Sequence, residues 1–127
     1  MAGELILIVE DNEKNLKLVR DVLQFQGYET LEASTAEEGL AIAHAREPAL
    51  ILMDIHLPGM NGITAFQRLR REPSTRRIPV LALTAQAMAQ EKEELLAAGF
   101  DGFLSKPINL KEFLAVTRKL LDSHCLG

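Results

Sequence analysis

Glu10 and Asp11, Asp54, Thr84 and Lys106 each stand at or just past the end of a short apolar run. Three carboxylates held together repel one another, and burial makes the repulsion worse. A divalent cation removes that conflict, and hard oxygen donors with room for water suit Mg²⁺ better than a soft metal. The sequence offers no cluster of histidines and cysteines that would suggest zinc. A lysine ammonium and a threonine hydroxyl would complete a cradle for an oxyanion carrying several negative charges. Asp54 follows Leu50-Ile51-Leu52-Met53 directly, so its backbone is fixed by the preceding run. A carboxylate in that position can attack phosphorus and form an acyl phosphate. A cation and an ammonium beside it supply most of the charge neutralisation that phosphoryl transfer needs.

Each of these residues also has an ordinary reading. Glu10 and Asp11 could favour the dipole of a following helix. Asp54 could be a loop carboxylate, Thr84 a helix cap and Lys106 a solvated cation. Taken together, those readings require separate strands to deliver reactive groups to one rim by coincidence.

The elements that must position these groups are legible in the hydrophobic pattern. Leu5 to Val9 is an apolar run suited to a strand buried on both faces. Asn12 to Gln26 carries Leu16, Val19 and Leu23 on one helical face, and Gly27 stops it. Tyr28 to Ala33 is a more polar strand, expected near an edge. Ser34 with Glu37 has capping-box spacing for a helix running to Arg46, which Glu47-Pro48 breaks. Leu50 to Met53 is the third strand, and Leu57 to Gly62 is a loop. Ile63 to Arg71 is the third helix, with Ile63, Phe66 and Leu69 inward. Ile78 to Leu83, Met88 to Ala98 and Gly102 to Leu104 give strand, helix and strand, with Gly99 ending the helix. Asn109 caps a last helix with Phe113, Val116 and Leu120 on its buried face, and the chain is expected to fray after Leu121. Strict alternation of this kind predicts an α/β fold with a parallel sheet covered by helices on both faces. Five strands fit the flavodoxin-like order 2-1-3-4-5, in which ligands bind beyond the carboxyl ends of the strands. Those ends are where Glu10, Asp11, Asp54, Thr84 and Lys106 fall.

Bulk properties set the outer bounds. A chain of 127 residues is expected to be a single domain, with no output domain. Its net charge of −4 argues against a nucleic-acid footprint. Arg68, Arg70, Arg71, Arg76 and Arg77 form a local basic run, read as a solvated helix end and loop. The single cysteine, Cys125, excludes an internal disulfide and fits a cytoplasmic setting. The first residues read as neither a signal peptide nor a membrane span. No glycine-rich nucleotide loop follows any strand.

The strings ILIVEDN, LILMDIHLPGMNG, VLALTA and FLSKP, in this order and spacing, resemble the receiver domain of bacterial two-component response regulators. The resemblance runs from Leu5 to Leu121. VEDNEKN and QGYETLEAS are further similar to single-domain cell-division regulators and to receivers of hybrid kinases. The resemblance implies that Asp54 accepts a phosphoryl group from a histidine kinase or a histidine phosphotransfer protein. It implies Mg²⁺ held by Asp11, Asp54 and the backbone carbonyl of His56, with Glu10 acting largely through water. Thr84 and Phe103 would form a switch that alters the surface of helix four, strand five and helix five, read by a downstream protein partner. Lys106-Pro107 would be a cis peptide site. His56 and Gln86, two residues past Asp54 and Thr84, would border the path of attacking water. Neither nucleic acid nor membrane is expected as a partner, and a monomer or a weak phosphorylation-linked dimer is.

Two other readings share some of this chemistry. An aspartate-nucleophile, Mg²⁺-dependent phosphohydrolase of the haloacid dehalogenase type uses a similar kit. That family puts its nucleophile first and a second aspartate two residues on, where this chain has His56. A receiver-fold interaction module that never takes phosphate is the other alternative.

Overall fold

The apolar runs form the strands of a single sheet in the computed structural model, which describes residues 3–57, 59–60, 62–84, 89–106 and 108–126, without the side chains of 89 and 123–126. Pro58, Gln86, Met88, Pro107 and the Cys125 side chain lie outside the described residues. In chain order the elements are β1 (Leu5–Val9), α1 (Glu13–Phe25), β2 (Glu29–Ala33), α2 (Ala36–Arg46), β3 (Leu50–Asp54), α3 (Gly62–Arg71), β4 (Val80–Thr84), α4 (Ala89–Ala98), β5 (Gly102–Ser105) and α5 (Leu110–Leu126). All strand pairs are parallel, in the order β2-β1-β3-β4-β5. An unbroken apolar strand must be covered on both sides. Every residue of β3 and β4 is accordingly buried, whereas the polar edge strand β2 buries only Ala33 fully.

Successive side chains of a strand point to opposite faces, and the core divides along that alternation. Leu7, Val9, Ile51, Met53, Val80 and Ala82 pack on one side with Phe66 and Leu69 of α3 and Leu95 of α4. Ile6, Ile8, Leu50, Leu52, Leu81 and Leu83 pack on the other with Val19 and Leu23 of α1 and Phe113 and Leu121 of α5. Each fully buried Leu, Ile or Phe stabilises the fold by ~1.5–3 kcal/mol. The sheet is therefore held firmly from both faces, and its strand ends are rigid mounts for side chains.

Helix ends follow local cap chemistry, with two departures from the sequence pattern. Asn12 caps α1, its side chain accepting from the Lys14 and Asn15 amides at 3.0 and 3.2 Å. At α2 the cap sits one residue later than Ser34 and Glu37 suggest. Thr35 Oγ1 accepts from the Glu38 amide at 3.1 Å, and Glu38 Oε1 accepts from the Ser34 amide at 3.1 Å. Both frames have the same spacing; the one adopted turns Ala36, Gly39 and Ala43 inward and leaves Glu37 and Glu38 in water. On α5 the most buried row is Phe113, Thr117 and Leu121, while Val116 and Leu120 flank it half-buried, and the helix continues to Leu126.

Within the basic run Arg70 is structural. Its guanidinium pairs with Asp101 at 2.8 Å, donates to the Ile78 carbonyl at 2.7 Å and lies 4.5 Å from the centre of the Phe66 ring. Arg68, Arg71, Arg76 and Arg77 are exposed.

Candidate functional site

The alternation that divides the core also sorts the polar residues at the strand ends. Glu10 continues the phase of Ile6 and Ile8, Asp54 that of Leu50 and Leu52, and Lys106 that of Leu104, all facing α1 and α5. Thr84 continues the phase of Val80 and Ala82, and Phe103 packs with the same cluster, facing α3 and α4. Backbone bonds carry the sheet past its last residues. The Glu10 amide donates to the Ala33 carbonyl at 3.0 Å, Ile55 to Leu83 at 3.0 Å and Lys106 to Thr84 at 2.8 Å. The directions of the side chains at this rim are thereby fixed.

Glu10 and Asp54 are buried, with residue exposures of 1% and 3%, while Asp11 is exposed beside them. The Lys106 ammonium bridges the two buried acids, 3.0 Å from Asp54 Oδ2 and 2.7 Å from Glu10 Oε1. The first contact is an aligned hydrogen bond. The second is a Coulombic contact without that alignment, so Glu10 Oε1 has no hydrogen-bond partner despite its proximity to the cation. Asp54 Oδ1 accepts from the His56 amide at 2.9 Å. Burial, reinforced by the neighbouring Asp54, pushes the Glu10 carboxyl up to about 7. Burial would raise Asp54 too, but the neighbouring Glu10 carboxyl, the His56 amide and the Lys106 ammonium together outweigh it and hold Asp54 below the usual carboxylate range. Lys106 is raised: its two carboxylate partners overcome the desolvation that would lower it. These contacts favour the charged form of the buried aspartate.

Carboxylate oxygens from Glu10, Asp11 and Asp54 all lie within 4.8 Å of one another. A hard octahedral cation holds oxygens at about 2.0–2.1 Å, so its opposite ligands are separated by roughly 4.2 Å. Small side-chain adjustments close the cluster to that size. The unaligned Oε1 of Glu10 and the water-facing Asp11 leave donor capacity that Mg²⁺ would use. The residues present fit such an ion.

Thr84 and His56 meet at a residue that sequence reasoning passed over. The Thr84 hydroxyl donates to Glu91 Oε1 on α4, and His56 Nε2 lies 3.3 Å from the same oxygen. Phe103 is half-buried, with the Lys92 ammonium 5.7 Å from its ring centre. The phase of Thr84 in β4 was a readable sign that its hydroxyl faces α4. Which α4 residue meets it depends on how that helix is set against the sheet.

Gly62 explains how the loop after β3 can return so closely. A Cβ at this position would stand 2.8 Å from both the Asp54 carbonyl oxygen and Ile55 Cα, backbone atoms with no freedom to move aside. Gly62→Ala is expected to destabilise the fold by ~1–3 kcal/mol, the usual range for overpacking, measured as a lowered urea midpoint. An unchanged midpoint would mean that this approach is looser than the structure shows.

A cleft of about 590 Å³ lies between α2 and α3, lined by Leu40, His44, Leu69 and Glu72 among others. It opens towards the carboxyl-terminal ends of these helices, away from the acidic cluster.

Comparison with known proteins agrees with this geometry. The profile of the response regulator receiver domain matches residues 6–118. The polar-differentiation response regulator DivK of Brucella ovis is 40% identical over 116 residues, covering 91% of this chain and 94% of its own. The receiver domain of sensor histidine kinase PA1611 from Pseudomonas aeruginosa PAO1 has a magnesium ion coordinated in its active-site cleft. It superimposes with a TM-score of 0.88 at 31% identity, covering 95% of this chain and 99% of that one. A CheY-like receiver from Methanospirillum hungatei JF-1 gives 0.88 at 31% identity, covering 97% of both chains.

Proposed function

The chain belongs to the response regulator receiver domain family of two-component signalling, and from that premise we propose that Asp54 is its phosphoryl acceptor. The observation that carries this reading is the buried Asp54 carboxylate held between the His56 amide and the Lys106 ammonium. Receiver membership implies a histidine kinase as partner, directly or through a histidine phosphotransfer protein. An Asp54 oxygen attacks phosphorus of the phosphohistidine; the new O–P bond forms as the N–P bond breaks, and the imidazole leaves with the electron pair. Lys106 balances charge on the transferring oxygens from one side. Bound Mg²⁺ would balance it from the other, held by Asp11, Asp54 and the His56 carbonyl, with Glu10 behind water.

Once Asp54 is modified, the Thr84 hydroxyl turns to an added phosphoryl oxygen and Phe103 moves inward, changing the α4–β5–α5 face that a downstream protein reads. Phe103 has no hydroxyl, so packing alone holds its inward rotamer. His56, exposed at the rim, borders the approach of water and tunes the lifetime of the phosphoryl group. Among the described residues no helix is long and apolar enough to cross a membrane.

Labelling with acetyl phosphate and Mg²⁺ tests the reading: one phosphoryl group per chain is expected. Steady multiple turnover on small phosphate esters would point to a hydrolase instead. Asp11→Ala is expected to weaken Mg²⁺ binding by about tenfold or more, since ligand and near-ligand losses typically cost that much. Calorimetric titration measures it, and unchanged affinity would remove Asp11 from the metal site.

A further inference from the structure

The first turn of α4 touches both members of the switch pair. Glu91 Oε1 accepts the Thr84 hydroxyl and approaches His56 Nε2 to 3.3 Å. The next residue, Lys92, places its ammonium 5.7 Å from the centre of the Phe103 ring. An acid in a first helical turn is favourable for the helix dipole alone. That role would be served with Glu91 extended into water. Here its side chain is only 17% exposed and reaches across to the end of β4. Thr84 itself is fully buried, so its hydroxyl hydrogen cannot turn to bulk water.

A hydroxyl has one hydrogen to donate. Glu91 and a phosphoryl oxygen on Asp54 therefore compete for the same donor. Resting on the acceptor role proposed for Asp54, we infer that Glu91 is a positioning residue that holds Thr84 against α4 until phosphoryl uptake draws the hydroxyl away. A chain whose Thr84 is held by Glu91 lacks one donor for the transferring group. The rate of uptake then scales with the fraction of chains in which Thr84 is released. Release also frees Glu91 and, with it, the turn that carries Lys92 over Phe103. Phosphoryl uptake at the sheet edge is thereby coupled to the helix through an exchange of acceptors at Thr84.

The test uses the full chain, acetyl phosphate and Mg²⁺. Glu91→Ala is expected to raise the initial labelling rate about fivefold, the factor equivalent to one ordinary hydrogen bond of ~1 kcal/mol. Glu91→Gln, which keeps a weaker acceptor, is expected between it and the parent protein. In a Thr84→Val background, Glu91→Ala is expected to change nothing. The Thr84 methyl resonance of unphosphorylated Glu91→Ala is expected to move towards its position in the phosphorylated parent. A labelled parent with unresponsive Glu91 variants, or equal acceleration in the Thr84→Val background, overturns the role of Glu91 alone. A parent protein that takes no label overturns the acceptor reading and this inference with it.

Discussion

Asp54→Asn protein is expected to take up no phosphoryl group from acetyl phosphate. The substitution keeps the shape of a side chain that is almost wholly buried and preserves an oxygen for the His56 amide at 2.9 Å. What it removes is the charge that makes the oxygen nucleophilic, since a carboxamide does not form a stable bond to phosphorus. Lys106 keeps Glu10 at 2.7 Å, so the variant is expected to fold. Intact-mass analysis after labelling reads the result directly. The same stoichiometry of label on the variant would show that another residue is the acceptor.

Lys106→Ala separates two roles that the site combines. The ammonium touches both buried acids, so its loss removes a preorganised charge from the place where negative charge grows during transfer. Loss of one such group costs roughly 10²–10³ in rate, and labelling by acetyl phosphate is expected to slow by that factor. Mg²⁺ affinity is expected to stay level or rise, because the ammonium no longer competes for Glu10 and Asp54. Calorimetry beside the labelling assay gives both quantities. A collapse of Mg²⁺ binding with little change in labelling would reverse the assignment of lysine and metal roles.

Much of this architecture could be read from the chain because its strands are buried on both faces. LILIV, LILM and VLAL admit few other readings, and each ends at a residue with reactive chemistry. Finer placement depended on balances that sequence does not display. Ser34 and Thr35 each have a glutamate at the capping distance, and the burial of Ala36, Gly39 and Ala43 decides between them. The α5 spacing is compatible with two neighbouring rows, and packing selects Phe113, Thr117 and Leu121. Glu91 gave no signal of its own among the acids of α4. Its contact arises from the rotation of a helix whose own hydrophobic pattern is weak. The cluster of Glu10, Asp54 and Lys106 was readable because each is fixed by strand register rather than by helix rotation.

The division of the rim by strand phase has an evolutionary consequence. The acids and the lysine of the proposed acceptor site lie on one side of the sheet, and the hydroxyl and ring of the proposed switch start from the other. Selection can retime the signal through residues near Asp54 while leaving the reporting helix untouched. It can equally re-aim the output towards a new listener by altering the outer face of α4 while Glu91 is kept.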